Sequence, residues 1–172
     1  MINLKVSFVR ARYPSVWEPT NLMYVSAFIK DRYKGNLDVQ ILDGFFDSDE
    51  QILNKISGSD YVGFSGTTPQ VPHIKKLSKL VKKEYPTMKT VAGGYGPSLQ
   101  PFQFLNDPTI DHLIVGEGEQ SMLDILNGVA TEKLVSTQPI MDVDTIPNPD
   151  RDSIDLNRYI SIAEKDEGRR VT

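Results

Sequence analysis

The 172-residue sequence contains no cysteine, two histidines and one tryptophan. Without cysteine the chain itself forms no disulfide, builds no thiolate zinc site, carries no cysteine nucleophile and holds no iron–sulfur cluster through its own sulfurs. With His73 and His112 alone, a multi-histidine metal site is not expected either. Long apolar runs are missing: no stretch approaches the roughly 20 residues needed to span a bilayer. The opening MINLKVSFVRARYP interrupts its apolar stretch with charges, unlike a secretory signal. Nor is there an excess of positive charge. A formal net charge of −4 and a pI near 5.2 lack the basic face expected of a general nucleic-acid binder. What remains is 39% hydrophobic and 24% charged, too apolar for a disordered chain and long enough for one ordinary domain plus an extension. The expectation is a soluble, cytoplasmic protein with no nucleic-acid or membrane partner.

Strand-like and helix-like segments alternate along the chain. Ile2–Val9 is rich in β-branched and aromatic residues, as a first strand should be. Thr20–Tyr33 repeats Leu22, Val25, Ile29 and Tyr33 at helical spacing, with Met23, Ala27 and Phe28 widening the apolar face. Leu37–Leu42 reads as a second strand ending at Asp43-Gly44, and Ser48 can cap a short helix whose first turn holds Asp49 and Glu50. Asp60–Ser65 is a third strand. A helix near Val71–Tyr85 follows, with Ile74, Leu77 and Val81 inward and a lysine stripe outward, the usual pattern of a solvated helix face. Met88–Ala92 and Asp111–Val115 supply the fourth and fifth strands, and a helix through about Asn127 turns Met122, Leu123, Ile125 and Leu126 inward. Five strands alternating with helices predict an α/β fold with a parallel sheet covered on both faces. Right-handed crossovers leave few topologies, and the flavodoxin-like, Rossmann-like order 2-1-3-4-5 is the expected one.

Past Gly128 the pattern changes. One more short strand is expected around Glu132–Val135. Met141–Leu156, with five Asp and two Pro, reads as an extended linker, and Arg158–Ala163 reads as a further strand before a charged end. The expected division is an α/β domain over 1–128 and a linker over 129–172, the front part of something longer.

In an open parallel sheet the ligand crevice lies outside the carboxyl ends of the strands. Four loops reach that edge: the long Arg10–Glu18, then Ser65-Gly66-Thr67-Thr68-Pro69-Gln70, Gly93-Gly94-Tyr95-Gly96-Pro97-Ser98 and Gly116-Glu117-Gly118-Glu119. Glycine lets the backbone approach a ligand closely, and hydroxyls and helix-terminal N–H groups supply donors. One such loop is ordinarily just a tight turn; three side by side favour a ligand site. The first-strand loop has no glycine, so the dinucleotide fingerprint G-x-G-x-x-G is absent there, and so is a Walker P-loop. The third strand ends in Phe64-Ser65 rather than an acceptor Asp, which argues against a response-regulator receiver. Asp43 can bond a ribose, though an Asp-Gly turn is its commoner role. Glu117 and Glu119 are as readily helix-start residues or interdomain contacts as acids, and both histidines read as structural.

Taken together, DYVGFSGTTPQ, VAGGYGPSLQP and DHLIVGEGEQSMLDIL resemble the N-terminal cobalamin-binding domain of cobalamin-dependent radical SAM enzymes. NLMYVSAFIKD and the linker IPNPDRDSIDLNRY are similar to segments of that family as well. The resemblance implies that cobalamin lies across the carboxyl ends of the strands with its nucleotide tail in the sheet edge. Ser65 and Thr67 then match the hydroxyl turn beside the tail, Gly93 and Gly94 the glycine pair that leaves room for it, and Gly116, Glu117 and Gly118 the loop at the corrin rim. With the neighbouring Gly66, Thr68, Tyr95 and Gly96 these are the expected cofactor-binding residues; no catalytic or metal-ligating residue is expected in the chain. The family's D-x-H-x-x-G turn after the first strand is replaced by Arg10-Ala11-Arg12-Tyr13-Pro14, so cobalt would receive no histidine from that turn. The resemblance further implies a partner, the radical SAM domain of the same parent chain. That domain would hold S-adenosylmethionine and a 4Fe–4S cluster on a three-Cys loop expected shortly after Thr172, and the parent's chemistry would be methyl transfer or radical chemistry. Two other readings stay open. In one the domain is degenerate, a structural or protein-docking module with Tyr13 or Trp17 folded into the corrin space. In the other, Ser65–Thr68 serves as a phosphate loop for FMN or a nucleotide.

Overall fold

The computed structural model describes residues 3–167, with side-chain surroundings as far as residue 162. The expected strand start at Ile2 and the terminal stretch 168–172 lie outside the described residues. The elements follow in the order β1 (Asn3–Arg10), α1 (Thr20–Arg32), β2 (Asn36–Asp43), α2 (Asp49–Ile56), β3 (Tyr61–Ser65), α3 (Val71–Glu84), β4 (Lys89–Gly93), α4 (Tyr95–Leu99), α5 (Phe102–Leu105), β5 (His112–Ile114), α6 (Glu119–Leu126), β6 (Leu134–Val135) and α7 (Leu156–Glu167). All strand pairs are parallel and the sheet order is 2-1-3-4-5-6. Among the described residues the sheet therefore has six strands, not five. The added strand is the short one expected near residues 132–135: Leu113 and Val115 donate their N–H groups to Lys133 O and Val135 O at 2.6 and 3.0 Å. The edge of β5 would otherwise present these donors unpaired.

Alternation along the strands sorts two cores, as period-2 side-chain direction requires. On one face Val9, Val62, Phe64, Ala92 and Leu113 pack against Ile52, Ile56, Ile74, Leu77 and Val81 of α2 and α3. On the other Val6, Phe8, Val91 and Ile114 pack against Leu22, Met23, Phe28 and Ile29 of α1 and Met122, Ile125 and Leu126 of α6. Helix α2 begins with a capping box: Ser48 Oγ accepts Gln51 N–H while Gln51 Oε1 accepts Ser48 N–H.

Arg158–Ala163 lies in helix α7, not in a strand. Its β-branched residues suit either state. The helix is favoured because one turn sets Arg158 and Tyr159 side by side on Phe46, with ring centroids of Phe46 and Tyr159 4.9 Å apart. The stretch before it also folds back onto the domain. Asp150 N–H donates to Met23 O at 3.1 Å, and the Asp150 carboxylate accepts from Ser26, Lys30 and Ser153.

Candidate functional site

Register brings one long and two short residues to one point. Arg10, Ser65 and Gly93 are aligned across β1, β3 and β4, and Phe8, Gly63 and Val91 stand one step behind them on the same face. A side chain at Gly63 would meet the Phe8 ring, its Cβ 2.7 Å from Phe8 Cδ1. At Gly93 a Cβ would meet only Ile114 Cβ, at 3.6 Å. With nothing to fill the lane between sheet, α1 and α6, a slot of about 220 Å³ remains, walled by Phe8, Leu22, Val25, Val91, Ile114 and Met122. Gly93, Gly94, Gly116, Glu117 and Gly118 form its mouth with Asn21 and Ser65.

The mouth opens into a broader basin of about 770 Å³ over the sheet edge. Tyr13 and Trp17 stand on one side, Tyr95 and Leu99 on the other, and Gly66 and Thr67 lie between. Slot and basin share Asn21, Ser65, Gly94 and Gly116. Gly94 needs to be glycine twice over: its φ is +88°, and a Cβ would lie 2.6 Å from Ser65 Oγ. Ser65 Oγ accepts from Asn21 Nδ2–H at 2.8 Å.

Of the expected residues, Ser65, Gly66, Thr67, Gly93, Gly94, Tyr95, Gly116, Glu117 and Gly118 line the slot or basin. Thr68 and Gly96 line neither. Thr68 opens a single 3-10 turn, and Gly96 lets α4 pass over the backbone of Thr67, where a Cβ would come 2.5 Å from Thr67 O. The Thr67 hydroxyl is spent on its own turn, donating to Gln70 Oε1 at 3.0 Å. Glu117 accepts the Ile140 N–H at 3.0 Å, an exposed contact to the segment after β6. Asp43 is not free to hold a ribose: it is buried, and its carboxylate accepts from Phe45 N–H, Arg10 and Tyr159. Both histidines are structurally engaged. His73 Nδ1 accepts the Arg12 N–H at 2.8 Å with Nε2 2.9 Å from Asp49, and His112 Nδ1 lies 2.8 Å from Glu132 O. Among the described residues no group of three His, Cys, Asp or Glu side chains is placed to hold a metal.

The slot is not plugged. Arg10 is drawn aside by Asp43 and by the carbonyls of Ser15 and Trp17, at 2.6–2.9 Å. Trp17 is 67% exposed, with Nε1 on Ser15 Oγ, so neither it nor Tyr13 occupies the slot. Asn21 went unremarked in the sequence; a polar residue in the first turn of an apolar helix was the available signal.

An apolar slot that opens through a hydroxyl and glycines onto a wide edge has the shape for a flat group with a narrower appendage. A family profile described as the B12 binding domain matches residues 6–126, most of the chain. The chain belongs to this family. The B12-binding domain is 28% identical over 193 aligned residues to the anaerobic magnesium-protoporphyrin IX monomethyl ester cyclase of Rubrivivax gelatinosus, covering 92% of this chain and 34% of the relative. It is 30% identical over 156 residues to the cytidylyl-2-hydroxyethylphosphonate methyltransferase of Streptomyces wedmorensis, covering 74% of this chain and 28% of the relative. The chain thus spans about a third of the length of these curated relatives. In fold the domain is similar to part of the radical S-adenosylmethionine methyltransferase TsrM from Kitasatospora setae, with a TM-score of 0.62 and 19% identity over 73% of this chain and 25% of that one. It is also similar in fold to the receiver domain of RcsB from Escherichia coli, with a TM-score of 0.51 and 12% identity over 80% of this chain and all of that one. Among the described residues no helix is long and apolar enough to cross a membrane.

Proposed function

We propose that the chain holds cobalamin at the carboxyl edge of its sheet, with the nucleotide tail in the slot and the corrin over the basin. The observation that carries this reading is the continuity of the two spaces through Ser65 and Gly94, where small residues leave a passage. The residues suit such a group. The apolar walls take a flat base out of water, worth roughly 25 cal/mol per Å² of apolar surface covered. Ser65 has one acceptor position filled by Asn21 and keeps its own proton to donate to the tail. Bound cobalamin supplies a methyl carrier or a radical partner, and the protein supplies orientation and exclusion of water.

The parent enzyme would be a cobalamin-dependent radical SAM enzyme, with S-adenosylmethionine and a 4Fe–4S cluster held by another domain of the same parent chain. By this reading residues 1–128 bind the cofactor and the stretch 129–172 leads toward that domain. Similarity to the Streptomyces wedmorensis methyltransferase supports methyl transfer as one reaction class for the parent, and similarity to the Rubrivivax gelatinosus cyclase supports ring formation as another. The test is a spectral titration with hydroxocobalamin followed by gel filtration. A shift of the visible bands and coelution are expected; an unshifted spectrum with no coelution would sink the reading.

A second reading, a docking module with an empty crevice, draws on the apolar rim, where Trp17, Tyr95, Leu99 and Phe102 are 58–81% exposed. Gly93→Leu separates the two: it fills the slot and abolishes cobalamin uptake under the first reading, and leaves a docking surface unchanged under the second.

A further inference from the structure

One carboxylate oxygen joins the C-terminal helix to the wall of the basin. Asp43 Oδ2, at the end of β2, accepts from Tyr159 Oη–H and from Arg10 Nη1–H, each at 2.8 Å. All three residues are at most 9% exposed. The other oxygen, Oδ1, accepts Phe45 N–H at 2.8 Å. The Arg10 guanidinium donates onward to Trp17 O at 2.6 Å and Ser15 O at 2.9 Å, in the loop whose Tyr13 and Trp17 wall the basin. Around this chain of bonds α7 is seated on the β2–α2 turn: Tyr159 meets Phe46 edge-on, and Arg158 stacks over Phe46 at 4.3 Å, with Asp47 at 3.8 Å.

A buried ion pair holds its geometry only while its remaining hydrogen-bonding positions are filled and water is kept out. Tyr159 does both for Asp43 and Arg10. Burial and the adjacent Asp43 carboxylate push the Tyr159 phenol well above its usual range, so it stays a donor. With α7 displaced, the pair would face water, the attraction between its charges would fall several-fold, and the loop carbonyls would lose a fixed donor.

We propose that Tyr159 is a positioning residue: by completing the Asp43–Arg10 pair, docked α7 holds the Ser15–Trp17 loop in the shape that walls the basin. The link to cofactor binding rests on the cobalamin reading. Because such coupling is reciprocal, a filled basin also tightens the docking of α7. The C-terminal segment then senses whether the basin is occupied.

Trp17 is the single tryptophan of the chain, so its emission reports on this loop without any cofactor. The experiment compares the full chain with Tyr159→Phe, which keeps the ring on Phe46 and loses the hydrogen bond, and with Tyr159→Ala, which loses both. Steady-state anisotropy of Trp17 is expected to fall from parent to Phe to Ala while circular dichroism is unchanged. The dissociation constant for hydroxocobalamin is expected to rise about tenfold in Tyr159→Phe, the loss of one hydrogen bond to a charged group. If Tyr159→Phe lowers the thermal midpoint yet leaves Trp17 anisotropy at the parent value, Tyr159 merely anchors the helix and the proposal is overturned. If the parent chain takes up no hydroxocobalamin while Trp17 still responds to the substitution, the cobalamin reading fails and the coupling of helix to loop stands. Should Tyr159→Ala fail to fold, Tyr159→Phe alone carries the test.

Discussion

Asn21 donates its side-chain N–H to Ser65 Oγ across 2.8 Å, tying the first turn of α1 to the end of β3 where slot meets basin. The bond does little to hold two elements that already pack together, but it orients a hydroxyl. With one acceptor position taken by Asn21, the Ser65 hydroxyl keeps its proton to donate. Ser65→Ala is expected to weaken hydroxocobalamin binding about tenfold and Asn21→Ala about threefold, the range spanned by single hydrogen bonds. Spectral titration measures both. Parent-like affinity in both variants would remove this pair from the binding face.

Adjacent glycines at the end of β4 should respond in opposite ways. Gly94 sits at φ +88° with Ser65 Oγ 2.6 Å from where a Cβ would be, so Gly94→Ala is expected to cost about 1–3 kcal/mol and lower the thermal midpoint. Gly93 has ordinary backbone and its added Cβ would find only Ile114, at 3.6 Å. Gly93→Leu should therefore melt close to the parent while losing cobalamin. A loss of stability at Gly93 equal to that at Gly94 would contradict the open slot.

One carboxylate gathers three of the contacts that hold the stretch before α7. Asp150 accepts from Ser26 Oγ and Lys30 Nζ, each at 2.6 Å, and from Ser153. Partial burial opposes its charge, but the hydrogen bonds from Lys30, Ser153 and Ser26 outweigh it and hold the carboxyl below its usual value. Asp150→Ala should speed proteolytic cutting between residues 141 and 155 several-fold, with the thermal midpoint little changed. Unchanged cutting, followed by mass spectrometry, would show that packing alone suffices there.

A pH dependence follows from Asp49 in the first turn of α2. Burial works against its charge, yet hydrogen bonds from Lys76 and His73, with the Lys76 charge, hold its carboxyl at about 2, below the ordinary 3.8. Arg12 adds a further contact at 2.9 Å. A carboxyl so lowered stabilises the fold fully above the ordinary value and loses that contribution as pH falls through about 2. Asp49→Asn should therefore melt below the parent at neutral pH, and the gap should close between pH 4 and pH 2. Thermal melts across that range measure it; a gap independent of pH would assign the effect to packing.

The reading of helices and strands succeeded where the pattern is local. The lysine-and-leucine periodicity of α3, the Ser48 cap of α2 and the β-branched and aromatic residues of β1 each carry their structure in a few consecutive residues. The glycine loops were legible for the same reason, because glycine marks places where a backbone must pass or turn without a side chain. Helix α7 was not. RYISIA is compatible with strand or helix, and the choice falls to Phe46 and Asp43, more than a hundred residues earlier, which receive Tyr159. Nor could sequence reveal that Thr67 spends its hydroxyl on Gln70, that Gly96 serves a helix crossing rather than the cavity, or that Asn21 stands beside Ser65.

Residue order thus sufficed for the alternating architecture and for naming the loops that gather at one edge of the sheet, since both follow from short-range periodicity and from backbone freedom. Whether those loops leave an open slot, and which side chains face it, was decided by register across β1, β3 and β4 and by the burial of Arg10 against Asp43. Those are contacts between distant residues, and their energies exist only once the chain has folded.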